Sequence, residues 1–190
     1  MTKLYSDYAL KISGKDAFTF IDSLISNKAE LEKYKGSYLL KPDGKIDYWF
    51  LVTLQNDVIY ILQQKEILLL LKNSLEKYKI RIICDLEIIE ELNVFELSKE
   101  NDELTIKKLN DKFENENWNS VCLELSLPTF EIITGGIMPN EVNMLESFVD
   151  YYKGCFLGQE QTSRVRFRGK PRRILKTNEN DTQEIIKLLN

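Results

Sequence analysis

Eight residues near the C-terminal end hold the side chains most suited to chemistry: Lys153, Gly154, Cys155, Phe156, Leu157, Gly158, Gln159 and Glu160. A helix beginning near Cys155 would aim its free N-terminal amides at the sulfur, and with the ammonium of Lys153 these would favour thiolate over thiol. On that helix Gly158 and Gln159 fall three and four positions on, so a glycine leaves one side of the sulfur open and an amide lies beside it. Cys155 is therefore the candidate catalytic thiol, with Lys153, Gln159 and Glu160 as its polar company. The competing reading is that Cys155 is a small buried hydrophobe, the usual fate of a lone cysteine. Cys84 and Cys122 each sit inside an apolar run and read as core. The chain has no histidine, which excludes Ser-His-Asp and Cys-His machinery and removes the commonest ligand of a catalytic zinc. Three cysteines spaced too widely for a CxxC pattern form neither a zinc motif nor a disulfide framework. No metal site is expected, and acid–base chemistry falls to carboxylates, lysine, tyrosine or cysteine.

A second feature follows directly. Between Gln161 and Lys176 lie seven basic residues and no acidic one, in a chain whose net charge is −4. A basic strip on an acidic body suggests a local anionic partner. Read as a strand, the strip places Arg164, Arg166 and Arg168 on one face, suited to gripping an anion. A solvated edge strand whose charges discourage sheet-to-sheet association explains the same pattern. Only Phe167 interleaves an aromatic there, so nucleic acid is the weaker reading.

The elements that must position these residues can be read from period and punctuation. At 190 residues, 43% hydrophobic and 29% charged, the chain can bury a sizeable core as one domain or two small, closely packed ones. No secretory signal opens it, and the longest apolar run, Ile67 to Leu71, is too short for a bilayer. A cytoplasmic protein with no membrane partner is expected. Leu4 to Ile12 reads as a strand, followed by a helix through Ala17, Phe20, Ile21, Leu24 and Ile25 with Ser13 or Asp16 at its start. Gly36 to Leu40 and Ile46 to Leu54 form a hairpin around Pro42-Asp43-Gly44, and a turn at Asn56-Asp57 returns Val58 to Leu62 as a strand. Lys65 to Tyr78 is an amphipathic helix. Ile80 to Cys84, Glu87 to Glu90, Asn93 to Leu97 and Leu104 to Leu109 are strand candidates, and Asn110 to Asn119 is a polar loop apart from Trp118. Val121 to Leu125 and Thr129 to Thr134 read as strands, Gly135-Gly136 as a break, Met144 to Tyr152 and Phe156 to Thr162 as helices, Arg164 to Phe167 and Arg173 to Leu175 as strands, and Gln183 to Leu189 as a terminal helix. The fold class is α+β, with antiparallel sheets and flanking helices.

Lys-Gly-Cys, an aromatic, one variable position and Gly-Gln-Glu together resemble the hallmark of YgfZ-type proteins, in the glycine-cleavage T-protein superfamily. The resemblance extends to Gly135-Gly136-Ile137-Met138-Pro139 with Asn143, to Arg164 through Lys170, to Ile12 through Phe18 and to Leu40 through Lys45. It spans most of residues 4 to 176 and is weakest between about 65 and 117.

The resemblance implies a folate-binding core like that of aminomethyltransferases, with tetrahydrofolate or a related reduced folate as cofactor. It also implies a role in iron–sulfur cluster assembly or repair, through iron–sulfur proteins or assembly factors, and an indirect effect on tRNA modification. Matched motif to motif, Tyr8 and Trp118 stand at aromatic positions facing folate, Glu124 at an acidic position suited to the donor edge of a pterin, and Asn143 at an asparagine beyond the proline. In that setting Arg164, Arg166 and Arg168 could hold the glutamate tail of folate or the backbone of tRNA. Core packing explains Tyr8 and Trp118 equally well, and strand alternation would leave Glu124 simply exposed. Two departures from the family pattern matter, and the first counts against aminomethyl transfer. Where transferases carry paired aspartates this chain has Tyr48 and Trp49, with Asp47 one residue out of register, so that only a bulge could restore a carboxylate. The expected C-terminal β-barrel has no room after Lys176, which suggests a minimal, single compact unit, built as one body or as two interleaved subdomains.

Overall fold

A computed structural model describes residues 2–109 and 117–188 of the chain. Six strands make one antiparallel sheet in the order β2-β3-β4-β1-β5-β6. They are β1 (Thr2–Ser13), β2 (Lys35–Leu40), β3 (Ile46–Gln55), β4 (Val58–Leu62), β5 (Asp85–Glu100) and β6 (Glu103–Leu109). Two-residue turns set two of the connections. Asn56 and Asp57 have φ of 48° and 62°, Asn101 and Asp102 of 49° and 63°, the left-handed pair that hairpin turns require and that Asn and Asp tolerate.

Both sheet faces are covered, which is why β3 is almost continuously apolar. Tyr48, Phe50 and Val52 point to one side, with Leu10, Ile12, Phe20 and Leu71. Trp49 and Leu51 point to the other, with Phe95, Trp118 and Phe148. The first side is closed by α1 (Ala17–Asp22) and α2 (Lys65–Glu76), the second by α3 (Trp118–Leu125), α4 (Phe130–Thr134) and α5 (Leu145–Phe148). Asp16 precedes α1 without capping it, and its carboxylate instead accepts from the Ile83 amide at 2.8 Å. After a 3-10 turn, Pro139–Glu141, and the Lys153–Gly158 loop come α6 (Gln159–Arg168) and a separate two-stranded sheet of β7 (Arg173–Thr177) and β8 (Gln183–Lys187).

The α+β class with an antiparallel sheet holds, and several local expectations do not. Val121 to Leu125 and Thr129 to Thr134 are helical: Trp118, Val121, Cys122 and Leu125 are the buried positions of α3, a helical rather than a two-residue period. Arg164 to Phe167 belongs to α6 and not to a strand. Gln183 to Lys187 is a strand because β7 offers it a partner, Ile174 facing Ile186 and Leu175 facing Ile185. Ile80 to Cys84 is irregular, while Glu87 to Glu90 and Asn93 to Leu97 join into the single long β5. Met144 to Tyr152 shrinks to the four residues of α5. Of the polar loop expected over Asn110 to Asn119, residues 110–116 lie outside the described residues.

Candidate functional site

The Lys153–Gly158 loop is fastened at several points, and its sulfur stands clear of all of them. The Lys153 side chain is 1% exposed, and its ammonium donates to the Asp22 carbonyl oxygen and, at 3.1 Å, to Asp22 Oδ1 at the end of α1. Leu157 N donates to the Ser23 carbonyl at 3.2 Å. Gln159 Oε1 accepts from Phe156 N at 3.1 Å, and Phe156 itself is core. Gly158 sits at φ +75°, where an added Cβ would lie 2.5 Å from the Lys41 carbonyl oxygen. Across from it Gly44, at φ +81°, would place a Cβ 2.8 Å from Gln161 Cβ. Two glycines therefore let the β2–β3 turn close onto the start of α6.

This arrangement changes the roles expected of the segment. The helix starts at Gln159, four residues after Cys155, so its N-terminal amides do not surround the sulfur and Gly158 and Gln159 are not its helical neighbours. The Lys153 ammonium is committed to Asp22. Glu160 is exposed and pairs with Arg164 at 2.9 Å. Lys153, Gly158 and Gln159 build the loop, and they present Cys155 as an exposed thiol beside Gly154, around whose missing side chain there is open space. The other two thiols are removed from nucleophilic chemistry: burial pushes Cys122 up to about 12 and raises Cys84 as well.

Tyr8 and Trp118 share one cleft of about 540 Å³, together with Tyr5, Gln63, Gln64 and Lys65. The β1–β5 register slips between Ser6 and Tyr8, and such an irregularity re-aims side chains at a sheet rim. The Lys65 ammonium lies 4.2 Å from the Tyr8 ring centroid, and the Tyr8 side chain holds that ammonium above the usual lysine range. Gln63 is fixed, its Nε2 donating to the Trp49 carbonyl at 2.9 Å and its Oε1 accepting from Gln64 N. Trp118 is largely buried, its ring 5.5 Å from that of Trp49. Asp7 and Glu66 are the carboxylates of the cleft. Glu124, exposed on α3, and Asn143, exposed before α5, do not line it. Sequence reasoning missed Gln63, Gln64 and Lys65, for which the polar interruption between β4 and α2 was the available signal.

Asp47 carries the bulge that a one-residue slip would need. Leu39 pairs with Tyr48 and Leu40 with Ile46, so Asp47 is the extra residue of β3. Burial raises its carboxyl above the usual aspartate range, against the pull of Lys41, whose Nζ is 3.7 Å away. The arginines of the basic strip part company on α6. Arg164 and Arg168 share one side of the helix, while Arg166 turns away to pair with Glu146. A strand face presenting all three does not exist.

Comparison with known proteins adds the following. No family model matches the chain. A stretch of 64 residues is 33% identical to the tRNA-modifying protein YgfZ of Blochmanniella pennsylvanica (strain BPEN); it makes up 33% of this chain and 19% of that protein. The fold matches the crystal structure of the glycine cleavage system aminomethyltransferase T from Bartonella henselae, with a TM-score of 0.57 at 11% identity, over 91% of this chain and 64% of that one. The chain thus spans less than two thirds of either relative. The chain has the aminomethyltransferase fold, and its sequence likeness to YgfZ is confined to that 64-residue stretch. Among the described residues no helix is long and apolar enough to cross a membrane.

Proposed function

We propose that this protein binds a reduced folate in the Tyr8–Trp118 cleft and acts through Cys155 as an auxiliary factor in iron–sulfur cluster assembly or repair, touching tRNA modification only through the enzymes it maintains. The observation that carries this reading is the Lys153–Gly158 loop, which devotes a buried lysine, a left-handed glycine and a glutamine to holding one exposed thiol. A flat heteroaromatic ring suits an aromatic wall, and Asp7 or Glu66 supplies the acceptor that a pterin's donor edge needs. Asn143 and Glu124 lie outside that cleft and are assigned no ring contact. Cys155 does not line it either. Folate and thiol therefore occupy separate places, folate as the sensed ligand and the thiol as the group that meets a partner protein. The working compartment in this reading is the cytoplasm. Its test is complementation: Cys155→Ser fails to restore iron–sulfur enzyme activity in cells lacking the protein, whereas Cys84→Ser restores it. Full rescue by Cys155→Ser would remove the thiol from the mechanism.

A second reading, a folate-dependent aminomethyl or one-carbon transferase, is favoured by one observation. The β3 bulge makes Asp47 the extra residue of its strand, with a carboxyl that partial burial holds above the usual aspartate range. It requires turnover with tetrahydrofolate and an aminomethyl donor, lost in Asp47→Asn.

A further inference from the structure

A cavity of about 670 Å³ lies outside both the thiol loop and the aromatic cleft, between the 3-10 turn, α6 and the β7–β8 sheet. Its size falls within the roughly 300–1,000 Å³ of small-ligand sites. Its charge is one-sided. The single carboxylate in the wall, Glu141, is already satisfied: Arg173 donates to it twice, Nε to Oε1 at 2.8 Å and a terminal nitrogen to Oε2 at 3.0 Å, and Met138 N donates to Oε2. Arg164 is paired with Glu160. That leaves Arg168, Lys170, Arg172 and Lys187 around one cavity, none with an ion-pair partner among the described residues. Charges complementing the α6 dipole would account for Arg168, but Lys170, Arg172 and Lys187 lie off that helix. Four like charges around one concavity repel each other, and an anion of several charges relieves that repulsion.

The remainder of the wall is apolar, with Met138, Val165, Pro171 and Leu188, so the ligand needs a body as well as a charged head. Two guanidinium forks and two ammonium groups match a compact head rich in acceptor oxygens better than a single carboxylate does.

We propose that this cavity binds a small phosphate ester of nucleoside diphosphate size, its phosphates among Arg168, Lys170, Arg172 and Lys187 and its body against Met138, Val165, Pro171 and Leu188. The site is independent of the folate reading, because none of these residues lines the Tyr8–Trp118 cleft.

Calorimetric titration of the full chain with ADP, pyrophosphate and adenosine, in magnesium-free buffer, tests it. ADP binds, and pyrophosphate and adenosine each bind at least about tenfold more weakly, as expected when head and body both contribute. The double variant Arg168→Ala/Arg172→Ala weakens ADP by about tenfold or more, while Arg166→Ala, on the far side of the same helix, stays within about twofold. Arg168 and Arg172 are exposed, so thermal unfolding of the double variant stays unchanged and separates lost binding from lost folding. No heat with millimolar ADP would overturn the proposal. So would equal binding of pyrophosphate and ADP, an equal loss in Arg166→Ala, or an oligoribonucleotide that binds without competition from ADP.

Discussion

Replacing Gly158 by alanine probes the way the thiol loop is built, without touching the thiol. Two costs can be worked from the geometry. The residue sits at φ +75°, where an L side chain loses about 1 kcal/mol or more. The new Cβ would also lie 2.5 Å from the Lys41 carbonyl oxygen and 2.9 Å from Leu40 Cβ. Neither is the far end of a flexible side chain, so the β2–β3 turn must move, and overpacking of that kind costs about 1–3 kcal/mol. Together the substitution destabilises by about 3 kcal/mol, which in a chain of this size lowers the melting temperature by roughly 6–12 °C. Urea and thermal unfolding read this directly. Gly154→Ala is the control: its Cβ meets nothing within 4 Å, and its stability stays within about 0.5 kcal/mol of wild type. A Gly158→Ala protein that melts with wild type would refute the claim that this glycine is a steric key between hairpin and loop.

Three further outcomes follow from the same structure. Lys153→Met removes the ammonium from the end of α1; because Asp22 keeps some solvent, the loss is about 1–3 kcal/mol by urea unfolding. Arg173→Met strands the Glu141 carboxylate, whose side chain is 9% exposed, and costs about 3 kcal/mol, most of which returns in the double variant with Glu141→Gln in a double-mutant cycle. Asp47 has a folded-state pKa above its unfolded value, so the folded protein holds this proton more tightly and the group costs stability once pH rises through that raised pKa. Asp47→Asn therefore raises the melting temperature at neutral pH, with a gain that shrinks as pH falls towards the ordinary aspartate range.

What the sequence made legible was mostly local. Pro42-Asp43-Gly44 and Asn56-Asp57 marked their turns because the backbone there needs residues of those types, and Gly44 and Asn56 do adopt positive φ. The long helix α2 announced itself by its apolar stripe. Short apolar runs misled: five residues from Val121 to Leu125 suit a buried strand or a helix turned towards a core, and only Trp118, one turn earlier, joins them to a helical face. Alternating arginines at 164, 166 and 168 imitated a strand while their helix carried them apart. The Glu141–Arg173 pair, which ties the 3-10 turn to β7, could not be read at all, since it joins residues 32 apart. Among the candidate site residues, Tyr8 and Trp118 meet in one cleft, whereas Glu124 and Asn143 lie elsewhere. Resemblance reports positions along a chain, and the bulge beside Tyr8 decides which of them face a common space.

Folate in the Tyr8–Trp118 cleft is the central claim, and calorimetric titration with tetrahydrofolate tests it most directly. Trp118 is largely buried, so Trp118→Phe, which keeps the core filled, is paired with Tyr8→Ala, and Asn143→Ala serves as the variant outside the cleft. Loss of an aromatic wall contact worth about 1 kcal/mol weakens binding by about fivefold in Tyr8→Ala, by less in Trp118→Phe, which keeps a smaller ring, and most in the pair, while Asn143→Ala binds as wild type does. Absence of binding by the wild-type chain, or equal weakening by Asn143→Ala, would contradict the account.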